Sequence, residues 1–442
     1  MPSRKIEVLK SPTLREEVYQ TTLPSGLRVY ACPKPGYRKK YACYSTFYGS
    51  VDNNFSIRSD SDAKSDAEAV SGRVQVPDGI AHFLEHTLFE TERGNASDLF
   101  ARNGAYNNAA TSFTTTTYLF ASSDRFYDNL ELLMSFVENP AFDPERVEKE
   151  RGIIEEEIKG YQDSADWVSY MGLLENLFHD HPVRIDIAGT AETIRQIDVP
   201  TLECCYRSFY HPSNMSLFVT GDLDVDELFD FVAAQSRQEG PPGGVAERFF
   251  PAEPASVAKK ETRRTMEVAL PKLLLGFKEV NVPTTGKEYV LRELLSDMAL
   301  EILFGRSSDI FRELYEKGLA LDDFSASYSA GSGIGYALIG GDTPSPDDLR
   351  DALLDRAAHW RSKGLEEDDF QREKRKFIGG FIRGFNSLEY IANYYTYFRF
   401  HDFDLFGTID LLHEVSREML EERVRQLLEP ELSASFVVLP ES

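Results

Sequence analysis

The sequence predicts an α+β protein built from two domains, and three observations support this fold class. The chain has 442 residues, which is enough for two or three substantial hydrophobic cores. Proline, glycine and alanine concentrate at residues 236–256, between two halves with regular hydrophobic patterns. Strand-like and helix-like segments mix within each half without a steady βαβ rhythm. We therefore expect domains at 1–235 and 258–442, joined by a linker at 236–257, and hypothesise that they are related by duplication.

The first half opens with two strand-like segments joined by a turn, followed by an apolar helix around His82 and His86. A Thr- and aromatic-rich run with strong β character comes next. A long helical stretch follows, interrupted by Pro140 and Pro144, and the half closes with a β run and a short helix. In chain order, the predicted strands are 26–33, 40–50, 107–123 and 214–224, and the long helical stretch is 127–178.

The second half repeats this logic more loosely. It begins with strands, continues with a helix and then forms a strand pair. Two further helices and a final strand complete the prediction. The segments are, in order, strands in 266–280, a helix at 287–304, a strand pair in 324–344, two helices, and a strand at 433–440.

Composition excludes some classes of function. The formal net charge is −25 and no basic stripe is present, which disfavours nucleic-acid binding. The chain contains no run of apolar residues long enough for a membrane helix, and its N-terminus lacks a signal-peptide pattern. We therefore expect a cytoplasmic protein with neither a nucleic-acid nor a membrane partner.

The four cysteines fit this expectation. Cys204 and Cys205 are adjacent, which is a poor geometry for a disulfide. Cys32 and Cys43 could face each other across a predicted hairpin, so one bridge is conceivable. Reduced, half-buried thiols are the favoured interpretation in a cytosolic protein of this size.

A His-x-x-Glu-His sequence is the clearest chemical signal. On a helix, His82, Glu85 and His86 lie on one face, because residues three and four apart stack over successive turns. Two imidazoles one turn apart can bind one Zn²⁺, and the carboxylate beside them can deprotonate a zinc-bound water. The order is the inverted form of the commoner zinc-protease motif. An ordinary surface helix is the alternative, but the flanking residues are so apolar that these polar groups would need buried partners.

A catalytic zinc site normally has three protein ligands, and the glutamate-rich segment 147–162 is the best source of the third. Its helical phase places Glu150 and Glu157 within an apolar stripe, two turns apart. A carboxylate on an apolar face is costly unless it is charge-paired or metal-bound. Glu150 and Glu157 are therefore both candidates, and the other glutamates of the segment should face water.

Several segments resemble the pitrilysin and insulin-degrading-enzyme superfamily of zinc peptidases. They include HFLEH, NNAATS, EKERGIIEEEI, HPVRIDIAGT, FYHPSNMSLFVTGDLD and LFGRSSDIFRELYEKG. Together they look like the short, half-size YmfH-like bacterial branch, and the resemblance spans nearly the whole chain. It implies two related α/β-sandwich domains of the LuxS/mitochondrial-processing-peptidase-like metalloenzyme type, the second of them non-catalytic. It also implies zinc ligation by His82, His86 and Glu157, a general base at Glu85 and support of the site by Glu150.

The implied activity is that of a zinc metalloendopeptidase acting on peptides or small unfolded segments within an enclosed chamber. NNAATS matches the family's edge strand, where a substrate peptide adds as an extra strand. Asn108 and Ala109 would therefore contact the substrate backbone. A non-catalytic, metal-stabilised subunit or peptide-binding scaffold is the alternative function.

One departure from the family concerns a clamp on the substrate carbonyl. Tyr315 stands where the family usually has an Arg, and Leu321 stands where it has a Tyr. An oxyanion donor matters, because losing one typically costs about 10²–10³ in rate. We therefore expect a heterodimer with a homologous zinc-less subunit that carries the Arg and Tyr. A homodimer using Arg312, Tyr328 or Arg399 is the second choice.

Overall fold

The computed structural model describes residues 5–56, 72–237 and 246–441, which divide into two compact units. Unit 1 comprises Met1–Ile158, Asp186–Phe249 and Gly384–Phe400, and unit 2 comprises Lys159–Ile185, Phe250–Arg383 and His401–Ser442. Each unit contains a β-sheet with packed helices, which confirms the predicted two-domain fold of mixed helices and strands. Residues 238–245 of the predicted linker lie outside the described residues.

The strands and helices are numbered separately in chain order. The strands are β1 (Glu7–Ser11), β2 (Glu16–Thr22), β3 (Arg28–Pro33), β4 (Lys40–Thr46), β5 (Asn54–Ser56), β6 (Arg73–Gln75), β7 (Glu90–Thr91), β8 (Gly94–Asn95), β9 (Tyr106–Thr111), β10 (Thr116–Ser122), β11 (Met215–Gly221), β12 (Glu247–Arg248), β13 (Glu261–Met266), β14 (Lys272–Val280), β15 (Ser325–Gly331), β16 (Ile334–Asp342) and β17 (Ser433–Pro440). The helices are α1 (Ile80–Phe89), α2 (Ala96–Arg102), α3 (Phe126–Glu138), α4 (Pro144–Asp163), α5 (Ala165–Leu177), α6 (Ala191–Ile194), α7 (Val199–Phe209), α8 (Val225–Gln235), α9 (Gly286–Phe304), α10 (Asp309–Glu316), α11 (Pro346–Lys363), α12 (Glu367–Gly384), α13 (Leu388–Phe400), α14 (Gly407–Glu414) and α15 (Arg417–Leu427).

The main sheet of unit 1 has the strand order β1-β2-β3-β11-β4-β10-β9. Neighbouring strands are antiparallel except β3 and β11, which are parallel. The inner strand β11 is buried along its whole length, as expected where both faces of a sheet are covered. β10 alternates buried and half-buried residues, with the period of two that is typical of a strand. β9 lies at one end of this order and forms an edge of the sheet.

The predicted hairpin between the first two segments of the sheet is wrong, because β11 lies between β3 and β4. Cys32 is opposite Thr220 of β11, and Cys43 is opposite Phe218 of the same strand. Two strand spacings, about 9–10 Å, separate β3 from β4, which exceeds the reach of a disulfide. Both thiols are free, as are the other two. Burial raises the pKa of Cys32 and of Cys43 to about 12.

The sheet of unit 2 repeats the organisation of the first. Its strand order is β13-β17-β14-β16-β15. β13 and β17 are parallel, and the other neighbouring pairs are antiparallel. Five strands of unit 1, β3-β11-β4-β10-β9, have the same spatial order and the same parallel and antiparallel pairings. They also follow one another along the chain in the same order as the strands of unit 2. This correspondence supports the duplication hypothesis.

Each half of the chain gives one helix to the other unit. α5 follows β10 in the chain, yet it belongs to unit 2 and packs on β14 and β17. α13 follows β16, yet it belongs to unit 1 and packs on β4 and β11. The compact units therefore do not coincide with the predicted ranges 1–235 and 258–442. The first boundary between the units, Ile158/Lys159, lies inside α4, where the Pro- and Gly-rich signal used to place the predicted boundary is absent.

Two further observations complete the fold. Two helices were predicted between β16 and β17, but the structure has five, α11 to α15. The breaks between them are only a few residues long, so the sequence pattern did not separate them. One of these breaks is at Gly364, which has a φ of 81° after the end of α11. Among the helices of the described segments, none combines the length and the apolar character needed to cross a membrane.

Candidate active site

Two glycines fix the point at which α1 begins. Gly79 precedes the helix with a φ of 90°, in the left-handed region that favours glycine. A Cβ at Gly79 would collide with the carbonyl oxygen of Ala188, and one at Gly189 would lie 2.5 Å from the carbonyl oxygen of Asp78. Glycine at both positions lets the two backbones meet. The start of α1 is therefore held against the turn at residues 188–189.

The polar residues of α1 are buried with its apolar ones. His82 and Glu85 are each only 8% exposed, and His86 is half-buried. The buried Nδ1 of His82 has no hydrogen-bond partner within the described residues. Burying such groups without partners is costly, so this environment does not fit an ordinary surface helix.

α4 brings a carboxylate to both histidines. Glu157 Oε1 lies 3.7 Å from His82 Nε2, and Glu157 Oε2 lies 3.4 Å from His86 Nε2. Potential ligand atoms of these three residues all lie within 4.8 Å of one another. Tetrahedral zinc with bonds of about 2.0–2.2 Å needs ligand atoms about 3.3 Å apart, so the three residues fit a zinc ion. No other group of three His, Cys, Asp or Glu residues with this geometry occurs in the described part of the chain.

Glu150 occupies a different position. Its Oε2 lies 3.5 Å from Nδ1 of His86, the ring nitrogen that does not face Glu157. A metal-binding histidine commonly donates its second N–H to a carboxylate, which fixes the orientation of its ring. Glu150 is buried and Glu157 is half-buried, as the apolar stripe predicted for this helix requires. The two glutamates that the sequence pattern left as equals are thus in different environments.

The charges around the two imidazoles favour a cation. Burial, with a smaller effect from His86, lowers the pKa of His82 to about 4, so this ring is neutral, as a metal ligand must be. Burial also lowers the pKa of His86, but the carboxylates of Glu150, Glu85 and Glu157 outweigh burial and raise it. The cluster therefore attracts positive charge to the space beside His86.

Glu85 has a partner that the sequence pattern did not reveal. Its Oε2 accepts a hydrogen bond of 2.7 Å from Oγ1 of Thr111, the last residue of β9. Burial raises the pKa of Glu85, and the Thr111 hydroxyl lowers it. The strand alternation of β9, in which 107, 109 and 111 share one face, was the signal that could have indicated Thr111.

The edge strand β9 directs some of its backbone groups away from its neighbour β10, beside this site. At the β9–β10 turn, Ser112 N–H donates to the Thr115 carbonyl oxygen over 2.8 Å. Along an antiparallel pair of strands, hydrogen-bonded and non-hydrogen-bonded residue pairs alternate. Ser112 and Thr115 form a hydrogen-bonded pair, so Ala109 and Thr111 belong to non-hydrogen-bonded pairs. Their N–H and C=O groups therefore point away from β10. Ala109 N–H instead donates to Oδ1 of Asn108 over 3.0 Å. The predicted substrate-contacting residues thus lie on an edge that can accept another strand.

The residues discussed for the carbonyl clamp have other surroundings. Tyr315 is exposed on α10, and Leu321 is half-buried. Arg312 forms an ion pair with Asp309 one turn away. The hydroxyl of Tyr328 donates to Glu279 over 2.7 Å in the interior of unit 2. Arg399 lies on α13.

Comparison with known proteins gives a consistent result. A model of the family Insulinase (Peptidase family M16) matches residues 75–191, and a model of the Peptidase M16 inactive domain matches residues 196–377. The chain is 40% identical over 441 residues to the uncharacterized zinc protease YmfH of Bacillus subtilis (strain 168), covering 99% of this chain and 100% of that protein.

Solved structures show the same relationship. The structure of an M16-like peptidase from Alicyclobacillus acidocaldarius has a TM-score of 0.91 at 33% identity and covers 98% of this chain and 100% of that chain. The structure of a protease from Helicobacter pylori has a TM-score of 0.78 at 18% identity, covering 96% of this chain and 100% of that chain. At this lower identity the similarity shows the fold alone.

Proposed function

We propose that this chain, which belongs to the M16 family of peptidases, is a zinc-dependent endopeptidase that hydrolyses peptides or small unfolded segments. The observation that carries the proposal is the cluster in which Glu157 faces Nε2 of both His82 and His86. These three residues would hold Zn²⁺, which, when bound, supplies a Lewis acid for the scissile carbonyl and lowers the pKa of water. Glu150 would orient the ring of His86 through Nδ1.

Glu85 is the proposed general base. It is buried on the same face of α1 as the two histidines, and its Oε2 is held by Thr111. In the proposed reaction its carboxylate takes a proton from the attacking water and returns that proton to the leaving amine. A purely structural metal site would not require a carboxylate at this position.

The proposed substrate is an extended peptide that adds to β9. The N–H and C=O groups at Ala109 point away from β10, so a peptide can pair there through its own backbone. A peptide carbonyl would take the place of the Asn108 side chain on the Ala109 N–H. Because this recognition uses backbone atoms, it places few demands on the side chains of the substrate.

We also propose a partner subunit and a compartment. Neither Tyr315 nor Leu321 supplies the Arg and Tyr clamp expected of active relatives, and the hydroxyl of Tyr328 is engaged by Glu279. A homologous subunit that provides such donors would complete the site within a closed chamber, and a homodimer is the second choice. The cytoplasm is the proposed compartment, which the four free thiols favour.

Substitution of the general base tests the proposal. Glu85→Gln should retain stoichiometric zinc but lose cleavage of a quenched peptide, because the amide cannot accept a proton from water. Zinc content by mass spectrometry and peptide turnover, measured alone and with a zinc-less homologue, are the two readouts. Cleavage by the variant at the parent's rate would contradict the mechanism.

A non-catalytic subunit or peptide-binding scaffold is the second candidate. The match of residues 196–377 to a domain described as inactive favours it. This candidate predicts peptide binding without turnover by the parent chain, both alone and in the presence of the homologue. Turnover that requires Glu85 would exclude it.

A further inference from the structure

The partner of Glu85 belongs to the strand that the proposed substrate would join. Glu85 is buried on α1, and its Oε2 accepts a 2.7 Å hydrogen bond from the Thr111 hydroxyl. Among the described residues, Thr111 is the one side chain that donates a hydrogen bond to this carboxylate. A buried carboxylate without a donor is costly, so this contact stabilises the position of Glu85.

The contact also leaves one side of the carboxylate available. A carboxylate has two oxygens, and engaging Oε2 leaves Oε1 to accept a proton. Thr111 therefore fixes which oxygen of Glu85 is turned towards the end of β9.

The position of Thr111 on β9 links this orientation to the substrate edge. Asn107, Ala109 and Thr111 share one face of the strand and direct their backbone groups away from β10. At Ala109 these groups can pair with a peptide. At Thr111, two residues further along, the strand instead contacts Glu85. One rigid strand therefore carries both the peptide-pairing position and the residue that holds the base.

We propose that Thr111 is a positioning residue that orients Glu85 relative to a peptide paired at Ala109, an inference that rests on the proposed peptidase function. Thr111 does not touch the reacting atoms. It acts by holding the carboxylate of Glu85 on α1 from the end of β9. The base is thereby held in a fixed position relative to a peptide paired with the same strand. Its removal should therefore affect the chemical step more than substrate binding.

Three variants of the full chain test the proposal, each assayed with zinc and with any partner that the parent requires. Thr111→Val removes the hydroxyl but keeps the shape, and kcat should fall by about 10–100-fold with KM changed by less than about twofold. Thr111→Ser restores a hydroxyl and should recover kcat to within about threefold. Thr117→Val is the matched control, because its hydroxyl bonds Ser45 over 2.8 Å on the neighbouring strand and not Glu85.

Two further measurements separate positioning from structure. A crystal structure of zinc-loaded Thr111→Val should show the Glu85 carboxylate rotated from its place in the parent. In a Glu85→Gln background, adding Thr111→Val should leave the Kd of a substrate peptide unchanged, as measured by calorimetry. The proposal would be overturned if kcat is unchanged in Thr111→Val or if Thr111→Ser fails to restore it. It would also be overturned if Thr111→Val loses more zinc or more stability than Thr117→Val does.

Failure of the proposed function gives a different result from failure of this inference. If the parent turns over no peptide in any combination, the peptidase proposal is refuted. The crystal structure of Thr111→Val then decides the role of Thr111 by itself, and an unmoved Glu85 carboxylate refutes that role. If the parent is active and Thr111→Val matches it, only the inference fails.

Discussion

Zinc affinity should distinguish the two glutamates of α4, Glu157 and Glu150. Glu157 faces Nε2 of both His82 and His86, at 3.7 Å and 3.4 Å, whereas Glu150 approaches only Nδ1 of His86, at 3.5 Å. Glu157→Gln should therefore remove a ligand, and Glu150→Gln should remove only a support of one ligand. The two substitutions make the same chemical change seven residues apart on one helix.

The expected magnitudes follow from these positions. Zinc binding worth about 10–16 kcal/mol, shared among four ligands, gives about 2.5–4 kcal/mol for Glu157, or a loss of about 10²–10³ in affinity. Removing an outer partner of a ligating histidine costs about 10–100-fold, which is the loss expected for Glu150→Gln. The loss should therefore be larger for Glu157→Gln.

Competition with a chromogenic chelator measures these affinities, and metal content after dialysis gives an independent check. Glu156→Gln is the matched control, because Glu156 is exposed on the same helix. Its zinc affinity should equal that of the parent. A loss for Glu150→Gln as large as that for Glu157→Gln, or parent-like affinity in Glu157→Gln, would refute the assignment.

Two predictions concern unit 2. Burial raises the pKa of Glu253, but Lys278 and the backbone N–H groups of residues 179–181 outweigh burial and lower it from 4.5 to about 2. Its contribution to stability is therefore complete above about pH 4.5 and is lost as the pH falls towards 2. Glu253→Gln should lower the free energy of unfolding at pH 7 by about 3–5 kcal/mol, because it leaves the fully buried Lys278 without its charge partner. The decrease in stability at acid pH, measured by calorimetry, should also become shallower. A pH profile of stability like that of the parent would contradict this. Tyr328→Phe should lower the free energy of unfolding by about 1.5–3 kcal/mol, because it loses the hydrogen bond to Glu279, and it should leave peptide turnover unchanged. A loss of turnover of about 10²-fold would instead favour Tyr328 as the oxyanion donor.

The candidate ligands could be predicted because their signals are local. The spacing of His82 and His86 is a property of one helical turn, and the burial of Glu150 follows from the phase of its helix. The contact of Glu85 with Thr111 could not be predicted, because it joins a helix to a strand through tertiary packing. Periodicity indicates which face of β9 is shared but not which helix that face meets.

The topology was predictable only where strands adjacent in the chain pair with each other. The β9–β10 hairpin follows from one continuous β run. The parallel pairing of β3 with β11 joins Arg28 to Ser216, and no local pattern indicates a partner so distant in the chain. For the same reason the predicted hairpin between β3 and β4 was wrong. The exchange of α5 and α13 depends on the packing of these helices on strands that are distant in the chain, and amino-acid composition does not indicate it.

The exchanged helix α13 has a consequence for the order in which the protein is made. Tyr395 of α13 is fully buried in unit 1, where its ring contacts Tyr30 of β3 and Phe218 of β11. A ribosome producing about 5–20 residues per second would release β3 many seconds before α13 emerges. Until residue 400 has been synthesised, the half of the chain that carries His82 and His86 lacks a helix that covers β4 and β11. Premature release from the ribosome before β14 is made would therefore leave β4 and β11 without α13, and α5 without the strands on which it packs.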